Sequence, residues 1–323
     1  MANMSEYRVL VTGANGFVGC ALRAELQKRS LPFATAVRQK QAKTEYEEYA
    51  VGTLNGKTDW THALLGCNTV IHLAARVHVM QEDAQDPLAA FREVNVISTL
   101  NLAHQAIAAG VRRFVYVSSV KVNGEESGQL PFTPFDSPAP GDPYGLSKWE
   151  AEQALCELAK KSDLELVIVR PPLVYGPGVR ANFLRLLTFV KWGVPLPLGS
   201  VNNRRSMVAL DNLVDLLILC TKHPAAAGQT FMVSDGADMS TTELLNLLAG
   251  AMGRRVCLVS VPTTLLKLAA AMIGKTAVAD RLLCSLQVDI SHTMLTLGWV
   301  PVIDVKEALN KTVRYFLRSI EAK

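Results

Sequence analysis

The sequence predicts an α/β fold: a doubly wound parallel sheet followed by a smaller C-terminal domain. Three observations predict it. Short apolar runs rich in Val, Ile and Leu alternate through the first half with stretches of helical period. One such run opens directly into glycines at i, i+3 and i+6, namely Gly13, Gly16 and Gly19. Past Arg170 the texture changes to Pro171-Pro172, Gly176-Pro177-Gly178 and Pro195-Leu196-Pro197-Leu198-Gly199. Strand–helix alternation with continuously apolar strands marks a parallel sheet covered on both faces. Residues 1–170 are therefore read as the first domain, completed by a return segment near 204–233, and residues 171–323 as the second.

Val9, Leu10 and Val11 are the first strand, and Cys20 to Leu26 is the helix after it. A strand that runs through glycines into a helix N-terminus makes an anion site, because unpaired N–H groups and the helix dipole converge there. Gly13 permits the tight turn, Gly16 lets the main chain approach a pyrophosphate, and Gly19 lets helix and strand pack closely. This is a Rossmann-type dinucleotide loop, in which Asn15, Phe17 and Val18 flank the cofactor. Residues 32–38 are the second strand. Where dinucleotide folds place an acid for the ribose 2′-hydroxyl, this chain offers Arg38 and then Lys40. A cation there suits a 2′-phosphate, and a solvated surface arginine is the even alternative. The cofactor is NADP or NAD, with NADPH slightly favoured.

Residues 49–54 are the third strand and Trp60 to Leu65 a short helix. Residues 68–75 are the fourth strand, whose end at Leu73, Ala74 and Ala75 leaves room for the cofactor; His72 within it is a core histidine. Pro87 to Ala109 is one long helix with Phe91, Val94, Ile97, Leu100, Leu102 and Ile107 on its apolar face and Gly110 as its stop. The strand from Arg113 ends in Ser118 and Ser119, which point at the site because ligands bind beyond the carboxyl ends of such strands. The loop over 124–143 is long enough to be functional. Tyr144 to Lys160 is helical, and residues 164–170 are the sixth strand. Helices over 182–192, 211–222 and 241–252 follow between short strands. Leu265 to Ala279 is apolar and alanine-rich but too short to span a bilayer. A buried or cap-domain helix is expected there in preference to a membrane-surface contact.

The 323 residues are 49% hydrophobic and 19% charged, which is a globular composition. A net charge of +4 is too mild to argue for nucleic acid and suits a small anionic molecule. The six cysteines and six histidines lack metal-ligand spacing, so no metal is expected and the thiols read as reduced in a cytoplasmic protein. No apolar signal core precedes Tyr7, which argues against secretion.

The chemistry concentrates at Tyr144 and Lys148, four apart at a helix start and so on one face. A free phenol titrates near pH 10. A nearby ammonium and the helix N-terminus both stabilise the phenolate, so Tyr144 can exchange a proton with a substrate oxygen near neutral pH. Ser119 can hydrogen-bond the same oxygen.

Thr12-Gly13-Ala14-Asn15-Gly16-Phe17-Val18-Gly19, His72-Leu73-Ala74-Ala75, Asn95-Val96, Ser118-Ser119, Tyr144 with Lys148, and Arg170-Pro171 stand in the order found in the extended short-chain dehydrogenase/reductase family, which this chain resembles. The resemblance implies a catalytic group of Ser119, Tyr144 and Lys148, with Asn95 supporting the helices around it. It implies cofactor contacts that include Leu73, Ala74, Ala75, Asn95, Ser118 and Pro171. It also implies a homodimer built on the helices beginning at Pro87 and Tyr144. Tyr175-Gly176-Pro177, Asn182-Phe183-Leu184 and the run from Arg204 to Asn212 are similar to the nucleotide-sugar branch. By that likeness Asn182 and Arg204 face the diphosphate, Arg281 is a second clamp, and Lys121 and Leu198 are substrate contacts. A surface ion pair is the alternative for Arg204.

Some positions depart from the branch. Val120-Lys121 replaces the Asp-Glu pair of the 4,6-dehydratases, so dehydration lacks its acid. Thr53, Asn123 and Leu173 replace an Asp, a Tyr and an Asn of the family. The runs over 118–124 and 170–212 look most like reductases of a UDP-4-keto-6-deoxy-N-acetylhexosamine in O-antigen synthesis (the UDP-N-acetylquinovosamine type), and that reading is modestly favoured. A UDP-hexose 4-epimerase is the alternative. A non-catalytic dinucleotide-binding regulator is the third, against which the joint presence of Ser119, Tyr144 and Lys148 argues.

Overall fold

The computed structural model describes residues 7–40, 46–77 and 86–321, residue 277 by its backbone alone. The six residues read as carrying no signal core lie outside this range. Six strands come from the first half: β1 (Val9–Thr12), β2 (Phe33–Val37), β3 (Glu47–Ala50), β4 (Thr69–His72), β5 (Arg113–Val117) and β6 (Glu165–Arg170). Three shorter ones follow: β7 (Leu173–Tyr175), β8 (Met207–Ala209) and β9 (Thr230–Met232). The main sheet has seven strands in the order β3-β2-β1-β4-β5-β6-β9, every pair parallel. β7 and β8 pair separately, also in parallel.

The strand order runs outward from β1 in both directions, so a crevice opens beyond the carboxyl ends of β1 and β4. The glycines follow β1, Leu73 to Ala75 follow β4, Ser118 and Ser119 follow β5, and Pro171 follows β6. One sheet topology thus delivers four chain-distant segments to one edge.

The helices are α1 (Phe17–Lys28), α2 (Thr61–Leu64), α3 (Pro87–Arg92), α4 (Ser98–Ala108), α5 (Pro143–Ala159), α6 (Ala181–Trp192), α7 (Leu210–Lys222), α8 (Thr241–Ala251), α9 (Thr263–Met272), α10 (Thr276–Leu283), α11 (Ser291–Leu297) and α12 (Val305–Glu321). Val9, Val11 and Ile71 pack with Leu22 and Leu26 of α1 and Leu213 and Leu217 of α7. Leu10, Val70 and Phe114 pack with Leu102 and Ala106 of α4 and Ala151 and Leu155 of α5. Alternate residues of each strand therefore feed opposite faces, which is why the strands are apolar throughout. A third cluster joins Tyr175, Phe183, Leu187, Leu245, Leu248, Leu309 and Val313.

Three sequence expectations need correction. The third strand lies at Glu47–Ala50, so Thr53 sits past its end and is exposed. The expected helix from Pro87 to Ala109 is interrupted by a π-helical turn, Glu93–Ile97, between α3 and α4. And α9, expected as a buried or cap-domain helix, contains no buried residue, so the buried half of that expectation fails. Leu266 and Ala270 only partly cover the third cluster.

Candidate active site

The glycine loop is shaped by close backbone approach. Gly13 adopts φ +65°, and a Cβ there would stand 2.7 Å from the backbone N of Ala74. A Cβ on Gly19 would stand 2.2 Å from the carbonyl oxygen of Gly13. Gly19 thus lets α1 press onto the loop, and Gly13 lets the loop press onto the end of β4. Gly16 caps α1 without any side-chain hydrogen bond, which leaves the first-turn N–H groups for an anion. Asn15 and Gly16 are exposed, while Phe17 and Val18 are half-buried. Across the crevice the buried Ser118 hydroxyl has no hydrogen-bond partner. An uncapped helix start at a side-chain-free loop, with an unsatisfied hydroxyl facing the same edge, fits a dinucleotide.

Asp142 caps α5, its Oδ1 accepting from the Gly145 N–H at 2.7 Å, and Pro143 opens the helix. That start fixes Tyr144 beside β5. The Ser119 hydroxyl hydrogen-bonds the Tyr144 phenol and favours its ionised form, but burial and the Asp142 carboxylate outweigh it, so the phenol titrates above its ordinary range. This corrects the expectation of a lowered value in the protein chain itself. Lys148 donates from Nζ to the Val117 carbonyl at 2.8 Å and lies 4.6 Å from the centre of the Tyr116 ring. Burial brings its ammonium down to about 7, against the upward pull of Glu152.

Asn95, in the π-helical turn, is buried. Its Nδ2 donates to the Ser147 hydroxyl at 2.9 Å and to the Arg76 carbonyl at 3.0 Å, and its Oδ1 accepts from the Arg76 N–H at 2.8 Å. Ser147 in turn donates to the Tyr144 carbonyl at 2.8 Å. Asn95 thus braces the first turn of α5 rather than presenting its amide to a ligand. His72 is clamped between Thr12 at 2.7 Å and Thr99 at 3.0 Å, and burial lowers it to about 3. It is the neutral core histidine expected from the sequence.

Other candidates are placed as follows. Ala74 is buried and Leu73 and Ala75 half-buried at the end of β4. The Pro171 carbonyl accepts from the Val120 N–H at 3.0 Å, tying the ends of β5 and β6 together. Arg38 is exposed just after β2. Lys121, expected at the substrate, is engaged by two carboxylates, Glu125 at 2.7 Å and Asp142. Leu198 is a buried member of the third cluster, and its carbonyl accepts from Thr242 at 2.6 Å. Asn182 and Arg204 are exposed and Arg281 is half-buried.

Two features escaped the sequence reading. Arg205 donates to the Cys284 carbonyl at 2.9 Å, and the nearby Arg281 pushes the same way as burial in lowering its pKa. Only the pairing of residue 205 with residues 239 and 286 reveals that meeting. The other is a buried ion pair. Arg170 donates to Glu152 from Nε at 3.0 Å and Nη2 at 2.5 Å, and from Nη1 to Asn123 at 3.0 Å. Glu152 follows Lys148 by one turn of α5.

The sequence pattern of the NAD dependent epimerase/dehydratase family matches residues 9–234. The chain belongs to this family. Like other members of the NAD dependent epimerase/dehydratase family it is an NAD-dependent enzyme of the short-chain dehydrogenase/reductase type. A UDP-glucose 4-epimerase from Vibrio cholerae is 47% identical over 96% of both chains. The N-acetyl-alpha-D-glucosaminyl-diphospho-ditrans,octacis-undecaprenol 4-epimerase of Escherichia coli O157:H7 is 30% identical over 77% of this chain and 73% of its own. Among solved structures, MoeE5 in complex with UDP-glucose and NAD superposes with a TM-score of 0.78 at 25% identity, covering 97% of this chain and 99% of its own.

Proposed function

We propose that the chain is a UDP-hexose 4-epimerase. The observation that carries this reading is the 47% identity, end to end, with the Vibrio cholerae UDP-glucose 4-epimerase. The Escherichia coli relative is also named a 4-epimerase. Neither of these relatives is named a 4-reductase, the activity favoured on sequence alone. Tyr144 is the proton carrier: its Oη takes the proton from the sugar O4 and returns it to the same oxygen. Ser119 holds that oxygen by hydrogen bond, and the Lys148 ammonium steadies the phenolate. NAD held at Gly13, Gly16 and Gly19 would supply reversible hydride acceptance at sugar C4. Asn95, through Ser147, keeps the first turn of α5 in register. Asn182, Arg204 and Arg281 meet the diphosphate, for which the planar guanidinium fork is suited. Gly13, Gly16 and Gly19 supply the pyrophosphate cradle. Residues 171–323 contribute the sugar-nucleotide side, the protein works in the cytoplasm, and two copies pair through α3, α4 and α5.

The test supplies UDP-glucose with NAD well below the substrate concentration. The epimerase reading expects many turnovers to UDP-galactose with no net change in nicotinamide absorbance. No interconversion, with stoichiometric NADPH oxidation on a UDP-4-keto-6-deoxy sugar, would return the case to the reductase.

A further inference from the structure

The fold leaves one apolar stripe outside. Leu265, Leu268, Ala269 and Met272 stand at i, i+3, i+4 and i+7, one face of α9. A surface helix ordinarily turns that stripe to the core. Here Leu266 and Ala270 face the core, while Leu265, Leu268 and Met272 are 55%, 59% and 74% exposed, and Ile273 at the helix end is 67% exposed.

A second exposed apolar group lies at the end of α6. Trp192, at the end of α6, is 68% exposed, with Val194 just beyond it also exposed. Arg254 donates to the Lys191 carbonyl at 2.6 Å, and Leu196 is paired with Cys257 and Val259 on the segment that leads to α9. The two apolar groups are thus stitched to one stretch of chain.

The charge around them has one sign. No acidic residue occurs from Leu166 to Leu210 or from Leu244 to Ala279. Arg185, Arg254, Arg255, Lys267 and Lys275 lie exposed in these two stretches. Two acids lie close by: Glu126, which with Lys267 acts on Cys284, and exposed Asp280 on α10.

We propose that α9 and the C-terminal end of α6 form a docking face for an anionic membrane surface. An exposed apolar stripe with cations and no acids on its own segment enters the headgroup boundary, and indole rings favour that depth. With about 1.5 Å of rise per residue the ten-residue α9 lies on the bilayer rather than crossing it, and no described helix is long and apolar enough to span. A second copy of this chain is the competing occupant, but two such faces would set cation against cation.

The test is co-sedimentation of the full-length protein with vesicles of phosphatidylcholine plus phosphatidylglycerol, and with vesicles of phosphatidylcholine alone. The parent is expected to pellet with the mixed vesicles, and high salt or neutral lipid should weaken this by about tenfold or more. The double variant Leu268→Glu with Met272→Glu should bind at least about tenfold more weakly while keeping its melting temperature and NAD affinity. A charge-reversing variant, Arg255→Glu with Lys275→Glu, should lose the preference for anionic vesicles. Absence of parent binding to the mixed vesicles overturns the proposal, as does equal binding by the folded variants. So does a parent that stays in the supernatant while the double variant alone dissociates to a smaller species.

Discussion

Replacing Glu152 by Gln tests how the buried ion pair supports both stability and chemistry. The Glu152 and Arg170 side chains are only 2% and 7% exposed, and two hydrogen bonds of 2.5 and 3.0 Å join them. Gln preserves the shape but leaves the guanidinium in the core with no countercharge. Breaking a buried pair in this way costs about 3–5 kcal/mol, against about 0–1 kcal/mol for an exposed one. Urea unfolding should show the larger loss, and the joint change Glu152→Leu with Arg170→Met should recover much of it. Glu152 also holds the Lys148 ammonium up against burial, from which it emerges at about 7. Without that carboxylate Lys148 titrates lower still. A rate that needs the ammonium then fails at lower pH, so the alkaline limb of the pH–rate profile moves toward acid. A Glu152→Gln protein within about 1 kcal/mol of its parent would refute the burial argument; an unmoved alkaline limb would refute the coupling to Lys148.

Other expectations follow from the same geometry. Tyr144→Phe should lower turnover by about 10²–10⁴ while leaving NAD affinity and melting temperature in place; activity within tenfold of the parent, about 1.4 kcal/mol, would remove the proton carrier. Gly19→Ala should cost about 1–3 kcal/mol or more, because the new methyl meets backbone at 2.2 Å from Gly13 O and 2.7 Å from Ala14 Cα. Gly16→Ala, with its nearest neighbour at 3.1 Å, should weaken NAD binding far more than it lowers the melting temperature. Equal melting losses in the two proteins would contradict these separate roles. His72 titrates at about 3 in the fold against 6.5 ordinarily, so the unfolded chain takes the proton first as pH falls. Its contribution is complete above pH 6.5 and declines by up to about 5 kcal/mol toward pH 3; ring resonances that shift between pH 5 and 8 in the folded protein would overturn this.

The parallel sheet and its carboxyl edge were readable because the signal is local. Val9 to Gly19 contains strand, turn and helix start within one short run. That Tyr144 and Lys148 share a helix followed from their spacing, and the burial of His72 from its apolar neighbours. The π-helical turn at Glu93–Ile97 was invisible because its apolar residues continue the helical period on either side. β7, β8 and β9 have three residues each, too few for a period to declare itself. α12 has a clear inner face in Ala308, Leu309, Thr312, Val313 and Phe316, yet it follows the last recognised motif and was passed over. Lys121 and Leu198 were assigned by likeness of position. The partners the structure gives them, Glu125 with Asp142 and the third cluster, are set by side-chain packing that no spacing rule encodes. The outward stripe of α9 shows the opposite failure: its apolar content was plain, but which way the helix faced was a tertiary choice.

The loop between Ser119 and Tyr144 is moored far downstream. Phe132 donates to the Gln287 carbonyl at 2.8 Å and accepts from the Asp289 N–H at 2.8 Å, and Ser127 donates to the Ser285 carbonyl at 3.1 Å. During synthesis the whole β1–β6 layer emerges from the ribosome well before these anchors do. A nascent chain therefore carries both halves of its proton-transfer apparatus while the tether that spaces them is still unmade. Catalysis should switch on late, after residue 289 has emerged, long after the glycine loop is able to hold its dinucleotide.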